Sequence, residues 1–127
     1  MTYLIDTHAL IWYIAGDRRL RRRAISLIED KNNIVYISKA TLWEMAIKIS
    51  LGKLALSIPF EELEVYLEEN NFFILDYNFD HLKKLLTLPF HHSDPFDRLI
   101  ISQALADDIP IITHDTWFEH YSVRVIK

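Results

Sequence analysis

Residues 33–52 read NIVYISKATLWEMAIKISLG, and the fold follows from how this stretch divides. Ile34, Val35, Tyr36 and Ile37 are β-branched or aromatic and suit a strand from Asn33 to Ile37. Ser38 then offers a hydroxyl to the orphan amides of a helix running to about Leu51, and Gly52 stands just beyond as its stop. The same order occurs earlier in YLIDTHALIWYIAG at residues 3–16: a buried strand over Tyr3–Asp6, a helix from about His8 to Ala15, and Gly16 as its end. A second helix, roughly Leu20 to Asp30, lies between the two units. Further along, Pro59 opens a helix to about Asn70, Phe72–Leu75 is a strand, and Phe79–Leu88 a helix. Asp94-Pro95 starts a helix to about Asp107, Pro110–Thr113 is a strand, and Val123–Ile126 a last strand. Strands alternating with helices predict an α/β fold of three layers, a mainly parallel central sheet flanked by helices. In such a sheet the strands end and the following helices begin on one rim, where open α/β folds bind their ligands.

The 127 residues suit one domain spanning 1–127, since domains usually hold ~100–200 residues. Half the residues are apolar, too many for a disordered chain. With no cysteine, thiol nucleophiles, disulfides and thiolate metal sites are excluded, and a reducing compartment is suited; the cytoplasm is the expected location. The early apolar run Ala9–Ala15 is far short of the ~20 residues of a membrane span, and no basic segment precedes it as in a secretion signal. The net charge of −4 hides a polarity: Arg18, Arg19, Arg21, Arg22 and Arg23 crowd one hexapeptide, while the rest of the chain is strongly acidic. A polyanion would be repelled by most of this surface and drawn to one stripe.

The rim itself carries acids. Asp6 closes the first strand, where an N-cap is the simplest role and a catalytic one the alternative. In DPFD, Asp94 falls at the N-cap, Pro95 at the first helical position and Asp97 in the first turn, an order that the helix dipole favours by itself. The helix from Pro95 spans ~20 Å and the strand after it returns ~17 Å, so Asp115 comes back near Asp97, with a capping role for the segment Thr116–His120 as its other reading. Glu44 sits in a helix that is apolar nearly all round, with only Lys48 as a local partner. Carboxylates converging on one rim repel one another, and a hard divalent cation such as Mg²⁺ or Mn²⁺ reconciles them. Such a site suits in-line chemistry at a phosphodiester.

Four segments, LIDTHALIW, the pair Trp43-Glu44, HSDPFDRLIISQAL at 92–105 and IITHD at 111–115, resemble the PIN domain family, and within it the VapC-type toxin ribonucleases of toxin-antitoxin pairs. The resemblance spans nearly the whole chain. It implies a PIN-like fold and an Mg²⁺- or Mn²⁺-dependent endoribonuclease, with Asp6, Glu44, Asp97 and Asp115 as both catalytic and metal-binding acids and Asp94 as an additional metal-binding acid. It gives Thr7 and Thr113 supporting roles beside the first and last acids, and leaves 5′-phosphate and 3′-hydroxyl ends on the cleaved RNA. A homodimer and a small antitoxin that occludes the acid pocket are the implied protein partners. His114 stands where an arginine is common in relatives.

Other features have simpler readings. Asp76 reads as a cap, His91 and His92 as loop residues supporting the DPFD turn, and Glu61, Glu62, Glu64, Glu68 and Glu69 as a solvated helix face. Trp12, Tyr13, Trp43 and Trp117 read as core or dimer contacts. The arginine stripe is either the charged outer face of the second helix or an RNA phosphate contact. Two other functions fit an acidic rim: a PIN fold that binds RNA or protein without cutting, and a receiver-like signalling domain. The receiver lacks support, since Asp6 is followed by Thr7 and His8 rather than by a second acid, and no lysine follows PIIT. An RNase H-like enzyme would open with antiparallel strands, whereas here a helix follows the first strand.

Overall fold

In the computed structural model, which describes residues 1–127, five strands form one sheet in the order β3-β2-β1-β4-β5. These are β1 (Thr2–Ile5), β2 (Ile34–Ser38), β3 (Phe72–Leu75), β4 (Ile111–Ile112) and β5 (Val125–Ile126). Every neighbouring pair is parallel, so the sheet is wholly rather than mainly parallel. The helices are α1 (Thr7–Ala15), α2 (Arg22–Glu29), α3 (Lys39–Ser50), α4 (Leu63–Glu69), α5 (Phe79–Thr87) and α6 (Pro95–Asp107). None is long and apolar enough to cross a membrane.

Alternation along β1 places the sheet in the middle of the molecule. Tyr3 and Ile5 join Val35, Ile37, Phe72 and Ile112 against Leu10, Ala24, Ile28, Met45, Leu63 and Leu67, the cluster beneath α1, α2, α3 and α4. Leu4 points the other way, joining Ile111, Ile100, Ile101, Ala104 and Phe118 beneath α6. Successive residues of a strand face opposite sides, so this central strand is apolar from Tyr3 to Ile5 and buried there on both faces. Leu4 and Ile5 are both wholly buried.

Local chemistry sets most boundaries as the sequence predicts. Gly16 ends α1 at φ 64°, a left-handed conformation that costs glycine little, and the Ser38 side chain accepts from Ala40 N–H at the start of α3. Four elements differ. The second helix begins at Arg22 rather than Leu20, because Arg21 is extended (ψ 152°) and Leu20 is buried in the core instead. The helix after Pro59 opens as a tight 3₁₀ turn, Phe60–Glu62, before α4 proper. The last two strands shorten to Ile111–Ile112 and Val125–Ile126, since each pairs with its neighbour over two residues only and Val123 packs into the core below α6.

The connection from α5 to α6 is held by a buried cation. Arg98 donates through one guanidinium nitrogen to Pro89 O (2.8 Å) and through the other to Leu88 O (3.3 Å), and its carbon centre lies 4.0 Å from the middle of the Phe90 ring. Three residues of the loop are thereby fixed to the first turns of α6. Arg98→Ala is expected to destabilise the protein by about 3 kcal/mol, since buried carbonyls lose a charged donor, and Arg98→Lys should recover only part, lacking the planar fork. Urea unfolding of the purified variants measures both.

Candidate metal centre

The ends of the two central strands deliver the first acid and its partner. Asp6 occupies the N-cap position of α1, yet its carboxylate makes no capping bond, so the simple reading fails there. The side chain turns inward instead, where Thr113 at the end of β4 donates to Oδ2 (3.0 Å). Oδ1 is buried with no hydrogen-bond partner at all. The Thr113 hydroxyl also accepts from Asp115 N–H (3.1 Å), so one threonine ties two of the acids together.

Glu44 reaches the same rim from the second turn of α3 and is only 2% exposed. Thr7 donates to its Oε1 (2.9 Å) and shares a further hydrogen bond with Thr41 (2.9 Å). Lys48 pairs with its Oε2 at 2.6 Å, which raises the lysine pKa; the charges of Asp94 and Asp97 add to that rise. The local ion pair foreseen for Glu44 is therefore present, but it is not the whole environment of this carboxylate.

Asp94 and Asp97 divide their labour. Asp94 caps α6, its Oδ1 accepting from Phe96 N–H (2.9 Å) and Asp97 N–H (3.0 Å). Asp97 is left to face the rim, where its Oδ2 meets His92 Nε2 at 2.8 Å. Asp115 caps the short 3₁₀ segment Thr116–His120 through Trp117 N–H (2.9 Å), as predicted, but that bond engages only Oδ1. Ligand atoms of His92, Asp97 and Asp115 all lie within 4.8 Å of one another.

The electrostatics follow from burial. Loss of solvent pushes the Asp6 carboxyl from its ordinary 3.8 up to about 7; the Thr113 hydrogen bond opposes the rise, and the charges of Asp115 and Glu44 add to it. Asp97 is also pushed up to about 7, by burial first and then by the charge of Asp6, against the opposing hydrogen bond from His92. Asp94 and Glu44 raise it further. Asp6, Glu44, Asp97 and Asp115 are thus close enough to feel one another, and of the four only Glu44 has a lysine or arginine of its own. Asp6 Oδ1 is a buried acceptor with nothing to accept from, and such atoms are rare in folded proteins. A carboxylate-rich pocket of this kind fits a hard divalent cation such as Mg²⁺ or Mn²⁺.

His92 is the residue that sequence reasoning passed over, reading it as loop support. Besides meeting Asp97, its ring stacks on Trp117 with centroids 5.9 Å apart and planes 5° from parallel. Its neighbour His91 stays outside, against Tyr121. Of the other set-aside residues, Glu61, Glu62, Glu64, Glu68 and Glu69 are exposed as read, whereas Asp76 is not the cap it was read as: Asn78 caps α5 by accepting from His81 N–H, and Asp76 accepts from Tyr77 N–H and meets Lys39 at 3.4 Å. Trp43 and Trp117 are 64% and 49% exposed, which removes the core reading for those two.

The arginine stripe is not simply a helix face. Arg22 and Arg23 lie in α2, while Arg18, Arg19 and Arg21 belong to the turn before it; all five are exposed. Arg19 pairs with Asp17 (2.7 Å) and lies over the Trp12 ring. Arg21 N–H donates to His114 Nε2 (3.1 Å), and Trp12 meets the His114 ring edge-on. Burial holds the His114 imidazole below its usual pKa. A cleft of about 230 Å³ lined by Asp6, His8, Trp12, His114 and Asp115 opens here, so the basic turn and the acids share one border.

No curated protein matches the sequence. Among solved structures, the chain is similar in fold to one of VapBC2 from Rickettsia felis bound to a DNA fragment from their promoter, with 20% identity, TM-score 0.75, and 99% of this chain and 98% of that chain covered. A toxin-antitoxin complex from Klebsiella pneumoniae gives 20% identity, TM-score 0.69 and coverage of 98% and 96%. VapBC-1 from nontypeable Haemophilus influenzae gives 19%, 0.68, and 100% and 98%. At such identities the likeness is one of fold. The sequence pattern of the PIN domain family, in contrast, matches residues 3–123 directly, and with the parallel sheet and its acidic rim this chain belongs to the PIN domain family.

Proposed function

We propose that this chain is a divalent-metal-dependent endoribonuclease and the toxin of a toxin-antitoxin pair. The observation that carries the reading is the meeting of Asp97 and Asp115, with Asp6 and a buried Glu44 close enough for the four acids to act on one another, and Asp6 Oδ1 left without a partner. Asp6, Glu44, Asp97 and Asp115 would hold Mg²⁺ or Mn²⁺, with Asp94 close behind as the cap that orients Asp97. When bound, such an ion supplies an activated water and charge stabilisation for hydrolysis of a phosphodiester. Thr7 and Thr113 fix the orientation of Glu44 and Asp6 through the hydrogen bonds described, which keeps the oxygens aimed inward before any ion arrives.

RNA is held by the basic turn. Arg18, Arg21, Arg22 and Arg23 have no acidic partner among the ion pairs, and the backbone of Arg21 meets His114 at the edge of the acid cleft, which supports phosphate contacts near the acids. Arg19 is engaged by Asp17 and contributes less. Replacing Arg18, Arg22 and Arg23 by alanine is expected to weaken RNA binding irrespective of sequence. The slope of log affinity against log salt should fall by about 0.7 for each phosphate that is no longer neutralised. Filter binding across a salt series reads this directly. The complexes whose fold this chain shares are described as toxin-antitoxin assemblies, which supports a small antitoxin as its partner. The exposed Trp43, edge-on to Phe96, supplies apolar surface for a homodimer.

The test is cleavage of end-labelled RNA by the purified chain with Mn²⁺ or Mg²⁺. Fragments with 5′-phosphate and 3′-hydroxyl ends, abolished by chelation and by Asp97→Asn, support the reading. RNA bound but never cut under any divalent ion would leave a non-catalytic PIN module instead.

A further inference from the structure

The predicted acids are all oxygen donors, and oxygen alone does not distinguish Mg²⁺ from Mn²⁺ strongly. The structure adds a nitrogen. We propose that His92 is itself a ligand of the bound cation, supplying imidazole Nε2 beside the carboxylates of Asp97 and Asp115; the assignment rests on the metal centre proposed above and favours a transition ion such as Mn²⁺ over Mg²⁺.

Geometry comes first. With bonds of ~2.1 Å, adjacent ligands of an octahedral ion stand ~3.0 Å apart and opposite ligands ~4.2 Å. His92 Nε2 and Asp97 Oδ2 are 2.8 Å apart, and the ligand atoms of His92, Asp97 and Asp115 fall within 4.8 Å. The first pair is already an octahedral edge, and a small closure brings in the third. A cation held by Nε2 and Oδ2 would replace the hydrogen bond that now joins them, and its proton would pass to solvent.

The second observation is the unpartnered Asp6 Oδ1, 2% exposed as a residue, whose carboxylate is close enough to feel Asp115 and to act on Asp97. An unpartnered acceptor buried within the influence of Asp97 and Asp115 favours a positive partner there once it ionises. The third is that His92 is held for the task at both ends. Its backbone N–H donates to the Tyr121 hydroxyl (2.9 Å), its carbonyl faces the Arg98 guanidinium (3.4 Å), and its ring lies flat on Trp117. A histidine that merely supported a loop would need none of the ring alignment toward Asp97. Imidazole favours transition ions over Mg²⁺, whose preference is for oxygen, so His92 biases the centre away from Mg²⁺ and toward transition ions such as Mn²⁺.

Electron spin-echo measurements on the full chain loaded with Mn²⁺ test this, because a coordinated imidazole imprints ¹⁴N modulation on the manganese signal whereas carboxylates and water do not. The expected result is modulation in the native protein that disappears in His92→Gln and persists in His8→Gln and His114→Gln, the two histidines that line the cleft beside Asp6 and Asp115. His92→Gln should also weaken Mn²⁺ binding about tenfold or more, with a smaller change for Mg²⁺. Circular dichroism of the metal-free variant checks its fold, and the native spectrum stands without any variant. Bound Mn²⁺ with no ¹⁴N modulation, or modulation that survives His92→Gln in a folded protein, overturns the ligand assignment while leaving the centre. A native chain that takes up no Mn²⁺ overturns the centre and the assignment together.

Discussion

Asp6→Asn is expected to lower RNA cleavage by ~10³-fold or more and, in the same protein without metal, to raise stability. The first effect follows from removing a charged ligand at a centre whose contribution to the barrier is several kcal/mol. The second comes from burial. Asp6 is held in its neutral form up to about pH 7 because its surroundings are dry and acidic, against 3.8 ordinarily. Between those values the folded protein keeps a proton that the unfolded chain releases, so stability falls as pH rises from about 4 to about 7 and levels off above. The rise from 3.8 to about 7 corresponds to about 4 kcal/mol at most. Relaxation and water entry reduce the expected gain for asparagine to ~1–3 kcal/mol at pH 8, fading toward pH 5. Urea unfolding at the two pH values, run beside the cleavage assay, separates this from an inactive misfolded variant. A destabilised Asp6→Asn protein would show that Asp6 serves the fold rather than a ligand.

What the sequence made legible was the periodic part of the molecule. Ser38, Gly16 and the pair Asp94-Pro95 act within a few residues of themselves, so capping and backbone rules place α1, α3 and α6 without knowledge of the rest. Glu44 was legible for a similar reason: an acid on a helix apolar all round is buried wherever that helix packs. The direction of the Asp6 side chain was not. An N-cap position allows the carboxylate to bind its own helix or to leave it, and the choice depends on Thr113, far along the chain but on the adjacent strand. His92 and Arg98 escaped because their partners are made by a loop folding back on the first turn of α6, a closure that no periodicity encodes. The spacing of His92 to Asp97 around a capped Pro95 was the available signal, since the cap brings the preceding loop against that turn.

Mn²⁺ binding to the native chain is expected to release about two protons at pH 6 and almost none at pH 8, with affinity rising ~10²-fold per pH unit at the acid end and flattening above about pH 7 to 8. The sign follows from the folded metal-free state, in which Asp6 and Asp97 each retain a proton at pH 6 because both carboxyls are pushed up to about 7. A cation must displace both, so acid competes with metal twice. Lys48 stays charged beside Glu44 throughout this range, its pKa being raised rather than lowered, and contributes no proton. Calorimetric titration in two buffers of different ionisation enthalpy counts the protons, and the shift of the unfolding midpoint on adding Mn²⁺ should be larger at pH 8 than at pH 6. Asp6→Asn should remove one proton from the count at pH 6 if any Mn²⁺ still binds. Were the carboxylates ordinary surface acids with pKa near 4, affinity would already be flat above pH 5 and the proton count near zero; the same titration therefore decides whether burial has prepared this rim for a metal ion.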